Sequence, residues 1–229
     1  MGLYRCSQKI VLSFHNQGAA FMKDYSTNYP RAPRNAFIDT KGRIVAVFDQ
    51  HKVSDDEVWV VVERSVVEKL MGHLFKYLYL TDVKVEPLEK IHVYWDLENE
   101  AQGQEPGDVF IPQKIGRLWL TPSVLQTDVP ESEMTKFRLI HEIPWQGVDF
   151  NDEMVLCVDE ELVSHLKGCY LGQEVVARVH YKGYPPKRLV VKMLRDCSSE
   201  QRLLMTSRAV LPSSGEVTGF VFEKTRSEA

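Results

Sequence analysis

The chain of 229 residues has little cysteine: Cys6, Cys157, Cys169 and Cys197 are the four. No two of them form a Cys-x-x-Cys pair, and no Cys/His group has zinc-ligand spacing. So few thiols in so long a chain exclude a disulfide framework and imply free thiols in a reducing compartment, read here as the cytoplasm. A run of about 18 apolar residues is missing, which excludes a membrane-spanning helix. The opening MGLYRCSQKIVLSF has neither a signal-peptide core nor Arg/Ser-rich transit character, and Cys6 stands where myristoylation wants Ser or Thr. Basic excess is lacking too. With 28 Lys and Arg against 32 Asp and Glu, the net charge of -4 offers no field for nucleic acid, although a local basic pocket for a small anion stays open.

What the chain does have is a 44% hydrophobic, 26% charged composition, that of a globular protein able to bury a core without staples. Residues 35–63 read as three strands, NAFID, RIVAVFDQHKV and EVWVVVE, parted by the turns TKG and SDD. Ser65 and Glu68 have capping-box spacing. Val67, Leu70, Met71, Leu74, Phe75 and Leu78 then recur at helical spacing as a core stripe. VKVEPL and KIHVYWDL return to strand, and 99–108 is a loop. Helices are expected over 131–141, ending before Pro144, and over 160–167, with Gly168 as the left-handed residue that stops the second. KGYPPKR at 182–188 reads as a linker. RLVVKML, RLLMTSRAVL and GEVTGFVFEK follow as short strands that must pack on the main body. Strands mixed with helices, without strict alternation, predict an α+β fold: a domain over 1–182 and a small β subdomain over 183–229.

The segment KGCYLGQEVVAR, 167–178, is unlike an ordinary core segment. One reading is structural. Gly168 and Gly172 make turns, Gln173 and Glu174 sit in the first turn of a helix, and Cys169 is a small buried hydrophobe. The other is chemical. Cys169 lies before a helix N-terminus and between Lys167 and Arg178, conditions that favour thiolate, the reactive and metal-binding form. The glycines let a ligand come close, and Arg178 can fork onto a carboxylate. No His/Asp partner lies nearby in sequence, so an acyl-transfer triad is weakly supported.

The same segment resembles the signature of the folate-binding YgfZ family, Lys-Gly-Cys-(Tyr/Phe)-x-Gly-Gln-Glu followed by Ala/Ser-Arg. AAFMKDYSTNYP, NAFIDTKGRI and RLIHEIPWQGVDF resemble further elements of that family, over about 18–183. The family is similar in fold to the glycine-cleavage T protein, a tetrahydrofolate-dependent aminomethyltransferase. The resemblance therefore implies a T-protein-like domain of mixed or antiparallel sheets with flanking helices. It implies tetrahydrofolate as cofactor, iron–sulfur client or assembly proteins as partners, and support of cluster assembly or repair as the role. Cys169 is then the functional thiol, with Lys167, Gly168, Tyr170, Gly172, Gln173, Glu174 and Arg178 around it. Asp149 matches the position of a pterin-binding Glu, Asn28 offers a ligand contact, and Arg138 can reach an acidic tail; otherwise they are a turn Asp, a loop cap and a surface Arg. Lys114 and Arg117 are cations without an assigned role.

Three departures matter. Ala46 and Val47 stand where the T protein has its Asp pair, and an apolar side chain neither accepts a proton nor orients an amine. Methylene transfer is thereby disfavoured, and no stable metal is expected, because one cysteine cannot supply the usual four thiolates of a cluster. Glu142 replaces the family's Gly in a turn near the pocket, and the C-terminal part is shortened, so the pocket wall there is expected to be reduced. A one-carbon transfer enzyme and a non-catalytic interaction module remain the alternatives.

Overall fold

A computed structural model describes residues 2–100 and 106–225, so 101–105 of the expected 99–108 loop lie outside the described residues. In chain order the elements are β1 (Leu3–Arg5), β2 (Lys9–His15), α1 (Gly18–Tyr25), β3 (Arg34–Ile38), β4 (Ile44–Lys52) and β5 (Val58–Glu63), then α2 (Val67–Tyr79), β6 (Lys84–Pro87), β7 (His92–Asp96), β8 (Val109–Pro112) and β9 (Arg117–Thr121). After these come α3 (Glu131–Ile140), α4 (Gln173–Lys182), β10 (Lys187–Met193), α5 (Ser199–Leu204), β11 (Thr206–Val210) and β12 (Val217–Lys224). The strands form a five-stranded sheet β3-β4-β5-β2-β6, a four-stranded sheet β1-β7-β9-β8 and a three-stranded sheet β10-β12-β11. Every pairing of these strands is antiparallel, as in the β3–β4, β7–β9 and β10–β12 ladders. The architecture is α+β.

The period of two explains how the layers stack. On β5, Val58, Val60 and Val62 face a core shared with Phe14, Phe21, Phe37, Leu70 and Leu74. Val61 on the opposite face, with Trp59 beside it, packs with Val93, Trp95, Leu118 and Leu120 of the four-stranded sheet. Both faces of β5 are thus covered, which its continuous apolar run requires. A third cluster joins Ile38 and Ile44 to Leu156, Leu162, Tyr170 and Val176.

Three expected elements form differently. Ser65 lies inside a 3-10 turn, Arg64–Val66, that leads into α2, and no side chain caps the helix. A residue already in helical geometry cannot act as the extended N-cap that a capping box needs. The helix expected over 160–167 is a single 3-10 turn, Glu160–Leu162, capped by Asp159. Thr27 stops it. Its hydroxyl donates to the Leu162 carbonyl at 2.6 Å and its own carbonyl accepts from the Ser164 amide at 3.0 Å, so the backbone groups needed for another turn are taken. Gly168 accordingly does not adopt the left-handed conformation expected of it. Within the segment 202–211, read as strand, the first part belongs to α5. Ser198 and Gln201 form a true capping box there, and the strand begins only at Thr206.

Candidate functional site

A cavity of about 360 Å³ opens where the three sheets meet. Trp95, Trp145 and Phe150 supply aromatic wall, and Leu189, Val191 and Phe220 of the C-terminal sheet close one side. Val47 also lines it, with its amide held by the Gln146 side chain at 2.8 Å. Ala46 points into the core beneath. The polar lining includes Gln113, Lys114, Arg188, Glu142 and an ion-pair chain. In that chain Lys9 lies 3.2 Å from Glu63 and 3.4 Å from Asp49, and Arg34 is 3.9 Å from Asp49 and 2.8 Å from Asp159. Burial pulls the Lys9 pKa down, but the Glu63 and Asp49 carboxylates overcome it and hold the ammonium above the ordinary lysine value. Burial also pushes the neighbouring Cys6 thiol up, so it stays protonated.

Glu142, at the end of α3, has φ 53. This is the left-handed geometry that glycine takes without cost at a helix end, so Glu142 keeps a glycine-type turn and stands at the cavity.

The three residues expected to contact a cofactor do not line this cavity. Asp149 and Arg138 are buried and bound to each other at 2.6 Å. Asp149 also accepts from the Trp145 amide at 2.9 Å and from the hydroxyls of Thr206, at 2.8 Å, and Ser207. All its acceptor sites are filled from within the protein. Arg138, 2% exposed, lies over the Trp145 ring at 4.1 Å and donates to Ser207 at 2.7 Å, so it is no surface arginine. Asn28 uses its amide on the carbonyls of Arg34, at 3.3 Å, and Glu161, at 3.2 Å. Of the two cations left without a role, Lys114 lines the cavity and Arg117 pairs with Asp96 at 2.9 Å.

The Cys169 segment lies away from the cavity lining but is bolted down beside it. Cys169 is exposed, whereas Cys6, Cys157 and Cys197 are buried. The structural reading of Cys169 as a packed hydrophobe therefore fails, because its side chain faces water. Its neighbours hold the loop. Tyr170 sinks into the third core cluster with Val176, and burial pushes its phenol up to about 12. Lys167 turns inward, donates to the Ser26 carbonyl and lies 4.8 Å from the Tyr170 ring centre. Burial pulls its ammonium down to about 8. His165, ahead of the thiol, stacks on His180 of α4 with ring centres 3.6 Å apart. Gly172 precedes α4 with φ 80, and a Cβ there would meet the Asp39 carbonyl at 2.3 Å, so this glycine is required. Gln173 and Glu174 open α4, as read from the sequence. Arg178 pairs with Glu174 at 3.2 Å on the exposed face. Both cations expected beside the thiol are thus engaged elsewhere. Among the described residues no group of three or more His, Cys, Asp or Glu is placed to hold a metal ion.

The residues missed in the sequence are those of the ion-pair chain and Gln146. Lys9 opens β2 and Asp49 follows the apolar run 44–48 of β4, positions where a charge is ordinary, so neither gives a local signal. Gln146 sits three residues before Asp149 and carries no signal of its own.

No protein-family model matches the chain. It is similar to the mitochondrial iron–sulfur cluster assembly factor IBA57 of Mus musculus, 30% identical over 151 residues, 56% of this chain and 42% of that protein. It is also similar to the mitochondrial IBA57 homologue of Coccidioides immitis, 24% identical over 192 residues, 68% of this chain and 45% of that protein. The chain thus spans somewhat under half the length of these relatives. Among solved structures, the glycine cleavage system aminomethyltransferase T of Bartonella henselae superposes with TM-score 0.72, covering 97% of this chain and 78% of that one at 11% identity. The chain has the T-protein fold; at that identity the likeness extends to fold alone. No helix among the described residues is long and apolar enough to cross a membrane.

Proposed function

We propose that this chain supports iron–sulfur cluster assembly or repair, in the manner of a YgfZ-type factor, through the thiol of Cys169 and with a reduced folate bound in the central cavity. The observation that carries the reading is the exposure of Cys169 on a loop anchored by Lys167 and Tyr170 while the other cysteines are buried. Similarity to IBA57-type factors supports the role, and the T-protein fold supports the ligand. The cluster is cargo. A single thiolate can donate to one iron, so the remaining ligands come from an assembly or client protein.

The cavity suits a folate by its chemistry. The aromatic wall of Trp95, Trp145 and Phe150 accepts a flat heterocycle, Gln113 and Glu142 offer hydrogen bonds, and Lys114 and Arg188 offer charge to a carboxylate tail. A reduced folate would supply one-carbon chemistry in a transferase. Here the residues at the Asp-pair positions, Ala46 and Val47, hold no proton, and Asp49 further along β4 is tied to Lys9. Binding and positioning, not methylene transfer, fit these side chains. A reducing compartment is needed to keep Cys169 free; the relatives' names place them in mitochondria.

Titrating the protein with 5-formyltetrahydrofolate and following emission from Trp95 and Trp145 tests the ligand. Saturable quenching is expected, and no change up to millimolar ligand would remove the folate. For the thiol, Cys169→Ser is expected to abolish rescue of iron–sulfur enzyme activity in cells lacking the chain. Full rescue would leave only an interaction module.

A further inference from the structure

Helix α2 packs on one side only. Its inner side, Leu70 and Leu74, meets Ala46, Phe48 and Val60 of the five-stranded sheet. Each residue of a helix turns by about 100°. Glu68, Gly72, Phe75, Lys76 and Tyr79 therefore share roughly a third of the circumference on the outer side, with Gly72 near its middle. Phe75 is 72% exposed and Tyr79 83%, with Leu80 beyond them at 76%. Large apolar side chains gathered in water on one face mark an interaction surface. Gly72 is an independent sign. A glycine inside a helix costs stability relative to alanine, and a Cβ at this position would meet nothing within 4 Å. Packing within the single chain gives no reason for it. A bare backbone in the middle of an apolar face lets a second backbone approach closely.

The charges select that second backbone. Glu68 stands four residues before Gly72 and Lys76 four residues after it. Among the described residues neither makes an ion pair; the Lys76 ammonium lies over the Tyr77 ring at 4.7 Å. The two are about 12 Å apart along the helix axis, too far to pair with each other. A two-fold axis through Gly72, perpendicular to the helix, sets each residue before it against the one equally far after it in a second copy. Glu68 then meets Lys76 of the other copy on both sides of the crossing. Phe75 meets the aliphatic stem of Lys69, whose ammonium is turned away to the Ile44 carbonyl at 3.2 Å. A parallel alignment would instead set Glu68 against Glu68 and Lys76 against Lys76. We infer that the outer face of α2 binds a second copy of this chain, as an antiparallel two-fold pair of α2 helices crossing at Gly72. The helix dipoles oppose each other in that pair, as the side-chain charges do. β4 turns Ala46 and Phe48 toward α2 but Val47 and Asp49 toward the cavity, so the pair forms on the far side of the sheet and leaves the cavity open.

Sedimentation equilibrium of the full chain, from micromolar to submillimolar concentration, is expected to show a 26.4 kDa monomer in reversible exchange with a species of twice that mass. Gly72→Leu fills the crossing point and is expected to abolish the heavier species. Leucine is also the better helix former, so the melting temperature in dilute solution should rise as association is lost, a combination that misfolding cannot produce. Glu68→Lys and Lys76→Glu are each expected to weaken association about tenfold, because two exposed pairs turn from attraction to repulsion, and the double variant should restore it. A monomer at every concentration would overturn the inference. So would a dimer indifferent to Gly72→Leu, which uses another surface, or a double variant as weak as either single one, which excludes the antiparallel register.

Discussion

At the scale of single residues, the glycines and the lysine of the Cys169 segment serve geometry while the thiol is left to the solvent. Lys167 illustrates the cost. Its ammonium is buried against a carbonyl and a ring, with no carboxylate in direct contact, so burial lowers its pKa from 10.5 to about 8. The sign follows from proton counting. Between about pH 8 and 10.5 the unfolded chain still holds a proton that the native state has shed, so unfolding takes one up and stability rises with pH across that window. Below it both states are charged and the contribution is flat. Lys167→Met removes the titration. The stability of the native sequence relative to the variant is therefore expected to grow over this window by on the order of 2 kcal/mol, allowing for solvent screening. Urea melts at a series of pH values check this; a difference independent of pH contradicts it.

At the scale of elements, the two glycines of the motif are not equivalent. Gly172 is left-handed, and a side chain there would strike the Asp39 carbonyl, whereas Gly168 is neither left-handed nor within 4 Å of any atom that a Cβ would meet. Gly172→Ala is expected to cost about 2 kcal/mol or more, left-handed strain plus displacement of the β3–β4 turn. Gly168→Ala should fall within about 0.5 kcal/mol of the parent, as for an open surface site. Denaturation midpoints of the two variants separate these outcomes. The sequence indicated which glycine opens α4 but assigned Gly168 a helix stop. That helix never forms, because Thr27, 135 residues away, takes the Leu162 carbonyl.

At the scale of the whole molecule, Asp149 joins the C-terminal sheet to the main body. Its carboxylate bridges Arg138 of α3, the loop amide of Trp145 and the hydroxyls of Thr206 and Ser207 on β11. Asp149→Asn leaves the buried Arg138 without a counter-charge, which is expected to cost about 3–5 kcal/mol. Calorimetry should show this as a large drop in melting temperature. A loss under about 1 kcal/mol would mean that the hub contributes little beyond its neighbours' packing. Because β10 and β12 also line the cavity through Leu189, Val191 and Phe220, the same substitution should weaken quenching by folate.

The sequence by itself determined what depends on neighbours in the chain. The apolar runs of β4 and β5, the helical stripe of α2, the glycine that opens α4 and the lone cysteine of an unusual motif all follow from local sterics, periodicity and residue chemistry. The stripe itself was read too broadly, since Phe75 at its edge faces solvent. Tertiary structure alone decided that Arg138 and Asp149 pair inside the protein and that the cavity draws charges from Lys9, Arg34, Asp49 and Asp159. It also decided that Cys169 lies outside that cavity yet on a segment tied to its rim. The reason is physical: a buried charge needs a counter-charge or hydrogen-bond partner and a buried carbonyl a donor, and the partner is chosen by proximity in the folded molecule, across separations that local pattern does not encode.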